Sequence, residues 1–194
     1  MKLILCDTNK ALCYAWQSVF SHEKDVEIIN SNFEDVESYD CIVSPGNSFG
    51  LMDGGIDAAI IDCFGTDLML RVQNKIKKEY YGEQPVGTCL IVKTGNKAHP
   101  YLAHTPTMRI PHNISGTDNV YNAMRAMLIA TKKNGTINTV LCPGLGTCTG
   151  MMLPEIAAAC MYLAYQHVIN PQPINWKNAV DTEIALRGVL CQRF

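Results

Sequence analysis

Two glycine-rich segments constrain this chain more than any other feature: Ser44 to Ile60 (SPGNSFGLMDGGIDAAI) and Pro143 to Pro154 (PGLGTCTGMMLP). Each follows a short apolar run and precedes a run with helical spacing, so each is predicted to join a strand to a helix. In open α/β sheets ligands sit outside the carboxyl ends of the strands, where such junctions lie. Helix N-termini and glycine turns present free backbone N–H groups there, which suit phosphate oxygens. Neither segment carries G-x-x-x-x-G-K-[ST] or a complete G-x-G-x-x-G, so triphosphate hydrolysis and a standard dinucleotide fold are disfavoured. The residues point to a phosphate-containing ligand held between two loops. The plain alternative is that the glycines only make turns.

The rest of the chain is consistent with such junctions. Lys2 to Cys6, Val26 to Ile29, Cys41 to Val43, Cys89 to Lys93, Tyr101 to Thr105 and Thr139 to Cys142 read as strands. Lys10 to Phe20, the run after Gly55, Leu68 to Tyr81, Asp118 to Lys132, Pro154 to Val168 and Trp176 to Leu190 read as helices, on apolar spacing and on Pro154 at a helix start. Alternating strands and helices predict an α/β layer fold around a largely parallel or mixed sheet. Asn170-Pro-Gln-Pro reads as a linker. The expected organisation is a domain over 1–170 and a C-terminal helical extension over 171–194.

Composition closes off other classes. Sixteen Lys+Arg against 18 Asp+Glu leave a net charge of −2, so no nucleic-acid partner is expected. No apolar run approaches the ~18–20 residues of a membrane helix, and no membrane association is expected. The start, MKLILC, is cut short by Asp7, Asn9 and Lys10, and reads as a strand rather than a targeting segment. Nine cysteines, an odd number without a C-x-x-C pair, read as reduced thiols of a cytoplasmic protein. They suggest neither a disulfide framework nor a zinc site, and no cofactor is expected.

The two glycine-rich segments also carry a family resemblance. Cys41 to Ile60, CIVSPGNSFGLMDGGIDAAI, resembles the first signature of the macro domain: a strand, N-A-A-N, a glycine turn and V-D-G-A-I. Pro143 to Ala158 is similar to the second, P-x-I-S-T-G-x-x-x-x-P before a helix. Tyr101 to Met108 resembles the strand that ends in a His-containing turn. The resemblance implies a three-layer α/β/α fold with a mixed, largely parallel sheet, and a cleft for ADP-ribose or an ADP-ribosylated substrate.

It also implies roles. Asn47 matches the second Asn of N-A-A-N, which positions the distal ribose. Gly54, Gly55 and Ile56 match the turn that meets the diphosphate. Gly146, Thr147, Cys148, Thr149, Gly150 and Met151 match the second diphosphate loop, and Gly144 is expected to join them at the ligand. Asp57 stands ten positions after Asn47, as in macro-domain hydrolases where that Asp orients a water. A carboxylate near an anomeric carbon suits general-base work. The alternative is that Asp57 caps its helix. Asn47 and Asp57 are thus the expected catalytic pair.

Departures from the pattern matter as well. Ser44 and Pro45 replace the first Asn-Ala, before Gly46. Asn32, with Phe33 beside it, replaces the Asp expected to take the adenine amino group; it keeps a carbonyl acceptor but no charge. Ser44, Gly46, Asn32 and Phe33 complete the expected ligand contacts. Asp53 adds a second carboxylate, read as a turn residue. His104 reads as a structural histidine, Cys148 as a loop residue rather than a nucleophile, and Arg109 as the partner of a structural carboxylate. The expected function is ADP-ribose binding with hydrolysis of an ADP-ribosyl linkage. The alternatives are a non-catalytic reader and a phosphatase for ADP-ribose 1″-phosphate.

Overall fold

The computed structural model describes residues 1–191. Among these lie six strands and six α-helices, in the order β1-α1-β2-β3-α2-α3-β4-β5-α4-β6-α5-α6. The strands are β1 (Lys2–Cys6), β2 (Val26–Ile29), β3 (Cys41–Ser44), β4 (Leu90–Lys93), β5 (Tyr101–His104) and β6 (Thr139–Cys142). The helices are α1 (Lys10–Phe20), α2 (Gly55–Phe64), α3 (Asp67–Tyr80), α4 (Asn119–Asn134), α5 (Pro154–Ile169) and α6 (Trp176–Leu190). The expected boundaries shift by a residue or two: β4 begins at Leu90 rather than Cys89, and α4 runs on to Asn134. The end of the expected extension, 192–194, lies outside the described residues.

The sheet has the order β2-β1-β6-β3-β5-β4, parallel throughout except for β4, which runs antiparallel to β5. Its strands are apolar on both faces because both faces are covered. Successive side chains on a strand point to opposite faces. Accordingly Leu3, Leu5, Cys41, Val43, Val140 and Cys142 pack into one core with α1, α4 and α5. Ile4, Cys6, Ile42 and Leu141 pack into the other with α2 and α3. Trp16 is fully buried in the first core, its indole N–H donating to Met161 Sδ at 3.4 Å.

Local chemistry explains where elements start and stop. The Asn9 side chain caps α1 by accepting from Ala11 N at 3.0 Å and Leu12 N at 3.4 Å. Pro154 opens α5, where a missing N–H is harmless. The outer edge of β4 is covered from α3: Arg71 donates to the Thr94 carbonyl at 2.6 Å and Lys75 to that of Ile91 at 2.8 Å. Helix α6 lies on α5 through the buried Leu186, while Ile174, Trp176, Val180 and Ile184 face outward.

Strand order brings three loops to one place. Strands β3 and β6 are neighbours, paired Cys41↔Val140 and Ile42↔Leu141, and β1 flanks β6 on its other side. The loops that leave the carboxyl ends of β1, β3 and β6 therefore converge.

Candidate functional site

The convergence encloses a cleft of about 680 Å³, within the range of small-molecule sites. One wall comes from the β3–α2 loop: Pro45, Gly46, Asn47, Leu51 and Asp53 to Asp57. The opposite wall is the β6–α5 loop, with Gly144 and Gly146 to Gly150. Ser31, Asn32, Phe33 and Glu34 close one end, beside Cys6 to Asn9 from the β1–α1 turn. Thr107, Met108 and Pro111 contribute from the segment after β5.

The β3–α2 loop is organised around side chains. Asn47 Oδ1 accepts from Phe49 N at 3.1 Å and Leu51 N at 3.3 Å, and its Nδ2 donates to the Leu51 carbonyl at 2.8 Å. Asn47 thereby builds the turn it begins. The loop is tied to the β5 exit by Thr107, whose N–H donates to the Gly46 carbonyl and whose hydroxyl donates to that of Pro45. Helix α2 starts at Gly55 behind the N-cap Gly54, which offers no side-chain cap, and its first N–H groups have no partner within the helix.

Asp57, in the first turn of α2, is only 5% exposed yet lines the cleft. Its Oδ1 accepts from the Ser44 hydroxyl at 2.8 Å. Of the expected capping alternative, the first-turn position beside the helix dipole holds, but the carboxyl bonds a side chain of β3 rather than the backbone N–H groups, and the N-cap is Gly54. Burial pushes Asp57 up to about 6; the Ser44 hydroxyl pulls it down, and the nearby Asp53 charge pushes it up further. Gly46 is required at its position: a Cβ there would strike Asp57 Oδ2 and lie 3.2 Å from His104 Nε2.

The β6–α5 loop is organised by backbone. Met152 N donates to the Gly146 carbonyl at 3.0 Å, Met151 N to Cys148 at 2.9 Å, and Ile114 N to Gly150 at 2.9 Å. Gly146 has φ +71°, and a Cβ there would press on Val120 and Ile114 at 2.7 and 2.9 Å. The loop is anchored to β1 by Gly144 N, which donates to Asp7 Oδ2 at 3.0 Å.

Most expected contacts line the cleft: Asn32, Phe33, Gly46, Asn47, Gly54, Gly55, Ile56, Asp57, Gly144, Gly146, Thr147, Cys148, Thr149 and Gly150. Two do not. Ser44 is fully buried behind the wall, where it holds Asp57. Met151 is 66% exposed at φ +54° and stands off the cleft. Phe33 belongs both to the wall and to the α2–α3 core. Arg109 forms a two-armed pair with Glu83 at 2.6 and 3.0 Å, and its guanidinium sits over Phe49. Asp7 is the residue that sequence reasoning missed. Its one signal was a carboxylate at the end of an apolar strand.

His104 is fully buried at the end of β5, with Nδ1 2.8 Å from Gln84 Oε1. Burial pushes it down to about 4, so it is neutral at ordinary pH. Its Nε2 has no hydrogen-bond partner. Among the described residues, no group of three or more His, Cys, Asp or Glu side chains is gathered to hold a metal. Nor, among them, is any helix long and apolar enough to cross a membrane.

Comparison with known proteins gives one consistent result. The Macro domain family model matches residues 43–161. An uncharacterized protein of Aquifex aeolicus (strain VF5) is 31% identical over 137 residues, covering 71% of this chain and 78% of that protein. Among solved structures, the macrodomain of Mycobacterium tuberculosis DarG superposes with a TM-score of 0.61 at 18% identity, over 71% of this chain and 88% of that one. A mutant Oceanobacillus iheyensis macrodomain with ADPR gives 0.60 at 17% identity, over 80% and 89%. The same macrodomain with ADP gives 0.59 at 19%, over 80% and 87%.

Proposed function

Because the chain belongs to the macro domain family, we propose that its cleft binds ADP-ribose and that the protein hydrolyses an ADP-ribosyl linkage, with Asp57 as the general base. The observation that carries the catalytic half is the buried Asp57 carboxyl on the cleft wall, beside the unpaired N–H groups of the α2 start. Binding rests on the wall composition. The diphosphate lies between Gly54 to Ile56 on one side and Gly146 to Gly150 on the other, where backbone N–H groups and the α2 dipole favour anions. The base lies toward Asn32 and Phe33, stacked beside the phenyl ring, with the Asn32 carbonyl as acceptor. The distal ribose lies by Asn47.

In that pose a water beside the anomeric carbon gives a proton to Asp57 as its oxygen bonds to the carbon. The bond to the leaving group breaks as that group takes a proton from solvent or from the protonated Asp57. The carboxyl held near 6 by burial is ionised at neutral pH yet more basic than a solvated Asp. A reducing, cytoplasmic setting belongs to the same reading, supported by nine cysteines that are odd in number and form no C-x-x-C pair.

A second reading is a reader that binds without turnover. The commitment of Asn47 to its own turn favours it, since both of its polar atoms already have partners. Calorimetric titration with ADP-ribose tests binding, and a panel of ADP-ribosylated esters, arginine glycosides and acetyl esters tests turnover. ADP-ribose 1″-phosphate in the same panel, with phosphate release as readout, tests the phosphatase alternative. Binding with no turnover of any substrate favours the reader. No measurable binding of any nucleotide overturns both.

A further inference from the structure

Three strand-to-helix junctions meet at the cleft, and one of them is built against anions. Helix α2 begins behind Gly54 with no side-chain cap, and the β6–α5 loop bends at Gly146. The β1–α1 turn differs. Asn9 Oδ1 accepts from Ala11 N and Leu12 N, so N–H groups that a phosphate would seek at the start of α1 are already taken. The N–H of Asn9 itself donates to Asp7 Oδ1 at 2.8 Å. This junction offers a carboxylate in place of free N–H groups.

Asp7 is fixed at a corner of the cleft. Its Oδ2 accepts from Gly144 N at 3.0 Å, and a Cβ on Gly144 would lie 2.7 Å from that oxygen and strike Leu12. The Asp7 N–H donates to the Ile29 carbonyl at 3.2 Å, and the Asp7 carbonyl accepts from Asn30 Nδ2 at 2.8 Å. Asp7 therefore joins the β6–α5 wall to the end formed by Ser31 to Glu34, half-buried and on the lining. Each carboxylate oxygen bonds one N–H and keeps a lone pair for a further donor.

The charge around this corner has one sign. The described residues that line the cleft include the carboxylates of Asp7, Glu34, Asp53 and Asp57, and none of them is Lys, Arg or His. An anion in the cleft is held by backbone N–H groups and neutral side chains. Between the glycine turns that suits a diphosphate. At the Asp7 corner a further phosphate would face a carboxylate with nothing to neutralise either, and like charges placed together are strongly unfavourable.

We propose that Asp7 is a specificity-determining residue: it accepts the hydroxyls of the ribose next to the base and excludes nucleotides that carry a phosphate on that ribose. The role rests on the binding half of the proposed function. With the base by Asn32 and Phe33 and the diphosphate between the glycine turns, the ribose that joins them passes Asp7. Hydrolysis is not needed for it. The substrate class is then ADP-ribosyl groups with a free adenosine diol, and their 2′-phosphorylated counterparts are rejected.

Calorimetric titration of the full chain tests this with ADP-ribose, its derivative phosphorylated at the adenosine 2′ position, ADP and 2′,3′-dideoxy-ADP. In the wild type the 2′-phosphate is expected to bind at least about a hundredfold more weakly than ADP-ribose. Dideoxy-ADP has no ribose hydroxyl to donate and is expected to bind about tenfold more weakly than ADP. Equal affinities within either pair overturn the proposal. Asp7→Asn removes the charge and is expected to shrink the penalty on the 2′-phosphate to about tenfold or less. The variant also loosens the Gly144 anchor, but that weakens both ligands of a pair alike, so the ratio separates selection from anchoring. A ratio unchanged in the folded variant overturns the proposal, and the wild-type ratios decide it where the variant does not fold. The two readings fail separately. ADP-ribose binding without discrimination sinks only the role of Asp7. Failure of all four nucleotides to bind sinks the ADP-ribose reading and the role of Asp7 with it.

Discussion

The two walls of the cleft extend from similar strand-to-helix junctions and differ in how far side chains hold them. The β3–α2 wall adds side-chain bonds to its main-chain ones: Ser44 on Asp57, Asn47 on its own turn, Thr107 on Pro45. The β6–α5 wall is held by main-chain bonds among Gly146, Cys148, Gly150, Met151 and Met152, with one side chain, Asp7, as its anchor. A wall made of side chains can carry a titrating group whose strength is set by its neighbours. A wall made of backbone presents fixed dipoles and does the same work at any pH. The difference teaches that chemistry and anion binding are divided between the walls.

The largest test of that division is Asp57→Ala. Turnover of an ADP-ribosyl substrate is expected to fall about 10²–10⁴-fold, the usual loss of a general base, while ADP-ribose affinity stays within about threefold. Unchanged turnover would remove the chemistry from this wall. For the wild type, turnover is expected to rise with pH through about 6 as Asp57 ionises.

Asp57→Asn reads the same residue through stability. A carboxyl raised from 3.8 to about 6 weakens the fold as pH climbs through that window, and the penalty is complete above it. The Asn variant is therefore expected to be more stable than wild type at pH 7 by up to about 3 kcal/mol, and equal to it below pH 4. His104, lowered from 6.5 to about 4, acts with the other sign: its contribution is full above 6.5 and is lost as pH falls to about 4. The two offset each other in the wild type. Asp57→Asn is expected to uncover an acid lability between pH 6.5 and 4, measurable by urea unfolding at a series of pH values.

On the backbone wall, Gly146→Ala forces a side chain into a left-handed conformation against Val120 and Ile114. It is expected to cost about 1–3 kcal/mol of stability and to weaken ADP-ribose binding roughly tenfold, with turnover of bound substrate unaltered. Denaturant unfolding and calorimetry check the two parts. The smallest effect is expected from Cys148→Ser. That thiol is exposed, and its wall works through backbone, so affinity should stay within about twofold. A larger loss would give the second wall side-chain chemistry and erase the contrast.

Much of the architecture is legible in the sequence. Strands such as Lys2–Cys6 and Thr139–Cys142 are short apolar runs, because both faces of a largely parallel sheet are buried. Gly46 and Gly146 stand where a Cβ would collide with its neighbours, whereas Gly54 and Gly55 open onto free space. Ser44 was expected at the ligand and lies behind it. Gln84, between Glu83 and Pro85, looks like a surface loop residue and is fully buried.

The sequence by itself determined the elements, their order and the two anion-suited turns, since these depend on periodicity and on glycine over a few neighbouring residues. Only the tertiary structure decided that β3 and β6 adjoin, that Asp7 anchors a loop 137 residues away, and that Asp57 meets Ser44 while His104 meets Gln84. Those contacts join residues 13, 20 and 137 positions apart. Their strength comes from shared burial, which no local pattern of residues records.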